Sequence, residues 1–117
     1  MIERITRTPI MHRVVAAHGV LYLGGIVAEA RDGVGMKGQT EQALARMEEI
    51  LRSAGSDRTK VLTATVYVTD MAAKAEMNEA WVSFFGAENL PSRATVGVAN
   101  LGSADTLIEV VATALKG

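Results

Sequence analysis

The sequence predicts an α+β domain in which two helices cover one face of a sheet. Three observations carry the prediction. Short segments that alternate with period two flank two longer stretches with helical periodicity. The breaks between them fall at glycine or proline, and no tract repeats or thins into a linker. Residues 1–117 are therefore expected to form a single domain.

"ERITR", Glu3 to Arg7, reads as a short first strand ended by Pro9. Val14 to Ala17 and Val20 to Val27 follow as two strands, joined at His18-Gly19 by a tight turn whose glycine takes a positive φ. "EARDGVGMKGQ" is expected to be a loop and the least ordered segment. From Met36 or Lys37 a helix runs to Ala54, with Ala43, Leu44, Met47, Ile50, Leu51 and Ala54 on its apolar face and the charged residues opposite. Gly55 is its stop. A strand from Thr59 to Thr69 sets Leu62, Ala64, Val66 and Val68 on one face and Val61, Thr63, Thr65, Tyr67 and Thr69 on the other. A second helix, Ala72 to Phe85, carries the stripe Met77, Trp81, Phe84 and Phe85, read as core, and ends at Gly86.

Composition narrows the chemistry. With 12 basic and 13 acidic residues and a net charge of -1, the chain carries no electrostatic footprint for nucleic acid or anionic membrane. The absence of cysteine excludes disulfides, a thiol nucleophile and thiolate metal sites, and two histidines give a metal little to build on. Arg4, Arg7 and Arg13 ahead of an apolar run mimic a secretory leader. His18 and the glycines interrupt that run, so a buried hairpin is the preferred reading. No stretch reaches the ~20 apolar residues of a membrane span, and a cytoplasmic protein is expected.

The stretch "NLPSRATVGVANLGSADTLIEVVATAL" reads as two final strands with a turn between them, and each holds a charge among apolar neighbours. Arg93, Thr95, Gly97 and Ala99 share one face, and Ala94, Val96 and Val98 the other. Glu109 lies between Ile108 and Val110. If the apolar residues of each strand point at the helices, the far face carries Thr63, Thr65, Tyr67, Arg93, Thr95 and Glu109 and needs water or a partner subunit. Arg93 and Glu109 then either pair as a structural ion pair or line a site.

The runs "VLYLGGIVAE…QTEQALARMEEILRSAGS", "VLTATVYVTDM…MNEAWVSFF" and "LPSRATVGVANL…LIEVVATA" together resemble the Rid (reactive intermediate deaminase, YjgF-like) family, over nearly the whole chain from Pro9 onward. Most telling is Pro91-Ser92-Arg93 followed by Ile108-Glu109. The resemblance implies a chorismate-mutase-like fold that assembles as a homotrimeric barrel with ligand clefts between subunits. It further implies cofactor-free hydrolysis of 2-imino or 2-enamino acids to 2-oxo acids and ammonia. The family arginine that clamps the substrate carboxylate falls on Arg93, the glutamate associated with the attacking water on Glu109, and a ligand-contacting asparagine on Asn78.

This chain also departs from the family pattern. Met11, followed by His12 and Arg13, stands where the family has a tyrosine that closes over the substrate. Gly24, beside Gly25, replaces a serine, and Thr95 replaces a cysteine that contributes backbone contacts. The expected substrate-binding set is thus Arg93, Thr95, Asn78, Gly24, Gly25 and Met11. A non-catalytic trimer that captures small carboxylates is the competing reading. RNA cleavage, attached to some family members, ranks last on charge.

Overall fold

A computed structural model describes residues 1–117. It contains strands β1 (Glu3–Arg7), β2 (His12–Ala17), β3 (Val20–Ile26), β4 (Val61–Val68), β5 (Ser92–Gly97) and β6 (Ile108–Leu115), with helices α1 (Met36–Ser53) and α2 (Lys74–Phe85). The strands form one sheet in the order β1-β2-β3-β6-β4-β5. Every neighbouring pair is antiparallel except β4–β5, which is parallel and connected through α2. No helix is long and apolar enough to cross a membrane.

The elements arise where periodicity and breakers place them. His18 (φ 53°) and Gly19 (φ 77°) form the two-residue turn between β2 and β3, both in the left-handed region that matches strand twist. α1 runs within a residue of its expected bounds, and Gly55 beyond it has φ 80°. Its apolar stripe packs with Met77, Trp81 and Phe85 of α2 onto the sheet residues Val14, Leu21, Ile26, Val66, Val68 and Val110. Every buried strand residue of this kind lies on one face, so both helices cover the same side of the sheet. The other side, which includes Tyr22, Thr65, Tyr67, Val96, Glu109 and Val111, is uncovered in the single chain.

Three details of the sequence reading change. A register shift between Val61 and Thr63 turns Val61 into the core and leaves Leu62 40% exposed, reversing their expected faces. The last two strands are not neighbours: β4 lies between them, so residues 98–107 are a crossover rather than a hairpin turn. The charges of α1 do not all face outward. Glu48 is 8% exposed, where it accepts the Arg58 backbone N–H at 2.7 Å and pairs with Arg52 and Arg58. Arg58 in turn donates to the Phe84 carbonyl at 2.9 Å and stacks 4.0 Å from that ring, tying the entry of β4 to the end of α2.

Gln39 performs the same service for the crossover. It is fully buried, donates from Nε2 to the Val34 and Asp105 carbonyls at 3.0 and 2.8 Å, and accepts the Leu107 N–H at 3.0 Å. The segment expected to be least ordered is tied as well: Gln42 bonds both polar backbone atoms of Ala30, and Arg31 pairs with Asp105. Gln39→Leu keeps the bulk but strands three backbone groups, and is expected to lower the unfolding free energy by about 3 kcal/mol in urea denaturation.

Acid sensitivity follows from the same crossover. Hydrogen bonds from Ser103, then from Arg31, hold the Asp105 carboxyl below its ordinary pKa of 3.8. A carboxyl lowered on folding stabilises the fold above that ordinary value, and the contribution is lost as pH falls through the lowered one. Asp105→Asn should therefore lower thermal stability at neutral pH and flatten the acid limb of the profile, with the two proteins converging as pH falls below about 4.

Candidate functional site

Arg93 stands on the edge strand β5, and its guanidinium is held on two sides by α2. Nη2 donates to Asn78 Oδ1 at 2.7 Å, and the guanidinium carbon lies 5.1 Å from the centroid of the Trp81 ring. Asn78 and Trp81 are three residues apart on the helix, which brings both side chains to one face. With Val82, Leu90 and Pro91 they line a cavity of about 480 Å³. Arg93 takes part in none of the ion pairs of the chain. Partial burial pushes its pKa down from the ordinary value. A partly buried guanidinium with no carboxylate beside it is a ready site for a ligand's carboxylate, which its planar fork matches in two bonds.

Glu109, half-buried on β6, builds a second cluster. In β3 the register steps from Leu23↔Ala112 to Ile26↔Val110, so Gly24 and Gly25 together oppose Val111 as a bulge. The bulge leaves room for Glu109: a Cβ on Gly25 would stand 2.7 Å from Glu109 Cδ. A Cβ on Gly24 would instead meet Met11 Sδ at 3.3 Å. The Thr8 hydroxyl fixes Met11 by donating to its carbonyl and accepting its N–H, both at 3.1 Å. Met11, Gly24, Gly25 and Glu109 therefore form one wall, in which the thioether takes the space beside the bare Gly24 backbone.

The two clusters lie on opposite faces of the sheet, which corrects the expectation that Arg93, Thr95 and Glu109 share one. Ala64 pairs with Arg93 and Val66 with Thr95, so both β5 residues point to the helix side, whereas Glu109 pairs with Tyr67 on the uncovered side. The strand's own alternation could not reveal this, because β5 turns its apolar Ala94 and Val96 away from the helices, where both are exposed. Within one chain the structural Arg93–Glu109 ion pair does not form. His12 and Arg13 begin β2; Arg13 lines a separate concavity of about 540 Å³ together with Thr6, Arg46 and Glu49. No group of three or more His, Asp and Glu side chains is placed to hold a metal ion.

The family profile described as Endoribonuclease L-PSP matches residues 1–116. A RutC family protein of Haemophilus ducreyi is 34% identical over 116 residues, 97% of this chain and 96% of its own. The chain belongs to the Rid (RutC/YjgF) family. The human Rid relative named 2-iminobutanoate/2-iminopropanoate deaminase is 36% identical over 99 residues, 85% of this chain and 64% of its own. The crystal structure of a YjgF-family member from Neisseria meningitidis superposes with a TM-score of 0.91 at 34% identity, covering 100% of this chain and 96% of that one. The Rid fold, a mixed sheet with two helices, is thus shared along the length of the chain.

The strand pattern singles out Arg93 and Glu109, the Rid resemblance adds Asn78, and Trp81 is read chiefly as core with ligand contact as the lesser alternative. Trp81 is 3% exposed and does pack in the core, while its ring also faces the guanidinium. The signal available was its spacing from Asn78 on the helix that connects two parallel strands. The two glycines of the bulge make a paired prediction. Gly25→Ala drives the Glu109 side chain aside and should cost about 1–3 kcal/mol in chemical denaturation. Gly24→Ala meets only the flexible end of Met11 and should cost less than half as much.

Proposed function

We propose that the chain hydrolyses small 2-imino or 2-enamino acids to 2-oxo acids and ammonia without a cofactor, in clefts where Arg93 of one subunit meets Glu109 of another in a homotrimer. The observation that carries this reading is the half-buried Arg93 guanidinium, which has a cavity before it and no carboxylate partner. Kinship with the human deaminase supports the substrate class. The uncovered sheet face, with Tyr22 and Val96 51% and 40% exposed, supports assembly through that face.

The chemistry needs only these groups. Arg93 holds the substrate carboxylate, and an iminium carbon beside it is already electrophilic. Glu109 orients a water and takes its proton as the oxygen bonds to C2 and the C=N π electrons move to nitrogen. The resulting carbinolamine transfers its hydroxyl proton through Glu109 to the amine. The C–N bond then breaks to release ammonia and leave the 2-oxo acid. Fixing water and substrate together supplies the rate advantage. The partners of this reading are a small carboxylate-bearing imine, enamine or 2-oxo acid and two further copies of the chain.

A second reading, a trimer that only captures small carboxylates, is favoured by the Met11–Gly24 wall, which sets no hydroxyl beside Glu109. RNA cleavage ranks below both, although the family profile is that of an endoribonuclease, because the Arg93 cavity has a single cation and the net charge is -1.

The decisive measurement is decay of imines made by an amino-acid oxidase, followed by ammonia release. Wild type should accelerate it; Arg93→Ala should lose about 100-fold in kcat/KM, and Glu109→Gln about 100-fold or more in kcat. Mixing the two inactive variants after dissociation should restore about one quarter of wild-type activity if each site draws one group from each of two subunits. No acceleration by wild type selects the capture reading. Active wild type without complementation places both groups in one subunit's site.

A further inference from the structure

The Arg93 cavity has two sides of unlike chemistry. One side only donates. Asn78 Oδ1 accepts from Arg93, which leaves its Nδ2 hydrogens, bonded to no other group of the chain, available to a ligand. The other side is hydrocarbon: Trp81, Val82, Leu90 and Pro91 complete the lining. Val82 and Leu90 are 47% and 44% exposed, so two aliphatic side chains stand uncovered next to a half-buried cation. The cavity's about 480 Å³ falls in the range of about 300–1,000 Å³ usual for small-molecule sites.

Building on the imine-hydrolase reading, we propose that Val82 and Leu90 determine substrate specificity: they receive the substrate's side chain while Arg93 and Asn78 hold its carboxylate. The preferred substrates are then monocarboxylates with an aliphatic, preferably branched, side chain. A second carboxylate finds no second cation in this lining and would be desolvated against Val82 and Leu90. A cationic side chain would face the guanidinium across a lining that carries no carboxylate to offset the repulsion. Aliphatic carbon gains from the same walls at each methylene.

The pocket holds its own reporter. Trp81 is the chain's single tryptophan, and its ring lies against the group that would bind the carboxylate. The test titrates the assembled protein with pyruvate, 2-oxobutanoate, 4-methyl-2-oxopentanoate and 2-oxoglutarate, stable members of the product class, following tryptophan fluorescence. Affinity should rise about two- to fourfold per added methylene along the first three, and 2-oxoglutarate should bind more weakly than 2-oxobutanoate. Leu90→Ser and Val82→Ser should compress the ratio between 4-methyl-2-oxopentanoate and pyruvate while sedimenting as wild type does.

A flat series, tightest binding of 2-oxoglutarate, or a change of oligomeric state on replacing Leu90 would overturn the proposal. Its failure is separable from that of the hydrolase reading. A protein that ranks the 2-oxo acids as expected but hydrolyses no imine overturns only the hydrolase. One that hydrolyses imines without regard to side chain overturns only the specificity wall.

Discussion

The parallel pairing of β5 with β4 is the constraint on which the site depends. It sets Ala64 opposite Arg93 and thereby aims the arginine at the helix side of the sheet. α2, which must cross between those two parallel strands, then lies within reach, and Asn78 and Trp81 meet the guanidinium. Shifting β5 by one residue would turn Arg93 onto the face of Tyr67 and Glu109 and remove both contacts. The register is secured from outside the strand. Val98 N–H bonds to the Val68 carbonyl, Thr69 N–H to the Leu107 carbonyl, and Gln39 grips the crossover at Asp105 and Leu107.

The same pairing divides the chemistry. Arg93 offers charge to a ligand on one side of the sheet, and Glu109 is set among Met11, Gly24 and Gly25 on the other. Neither half is complete for hydrolysis: a carboxylate clamp without a proton carrier binds, and a carboxylate without an anchor has nothing to act on. On the proposed reading, assembly joins two incomplete halves rather than duplicating a complete one. The uncovered sheet face and the unpaired edge of β5 would then serve catalysis as much as stability.

How much of this is legible in the sequence depends on whether a feature is local. The helices, the His18-Gly19 turn and the stops at Gly55 and Gly86 follow from periodicity and backbone preference, and the structure places them within about two residues of expectation. The faces of β5 were misread because alternation fixes only which residues are opposed, not which side is covered. At a sheet edge the apolar side can be the open one. The Val61–Leu62 exchange has a similar origin, since a bulge is a property of two strands and not of one. Gln39 and Glu48 escaped because a buried polar side chain looks like any surface residue until its partners, up to 68 positions away for Gln39 and Leu107, are known.

The departures at Met11 and Gly24 are best read as one change. A side chain at position 24 would contend with the Met11 thioether at 3.3 Å, so the glycine admits the methionine and the methionine fills the space the glycine leaves. The exchange leaves Glu109 and the Gly25 backbone against it in place. What is replaced is a pair of hydroxyl-bearing side chains in the family pattern; what is kept, on the proposed reading, is the proton carrier Glu109 and the anchor Arg93. Because an iminium carbon needs a placed water more than it needs added polarisation, such a change bears on which side chains the pocket admits before it bears on whether water attacks. On the proposed reading, a thioether against Gly24 and two aliphatic side chains near Arg93 act in one direction, giving a cationic anchor with largely apolar walls.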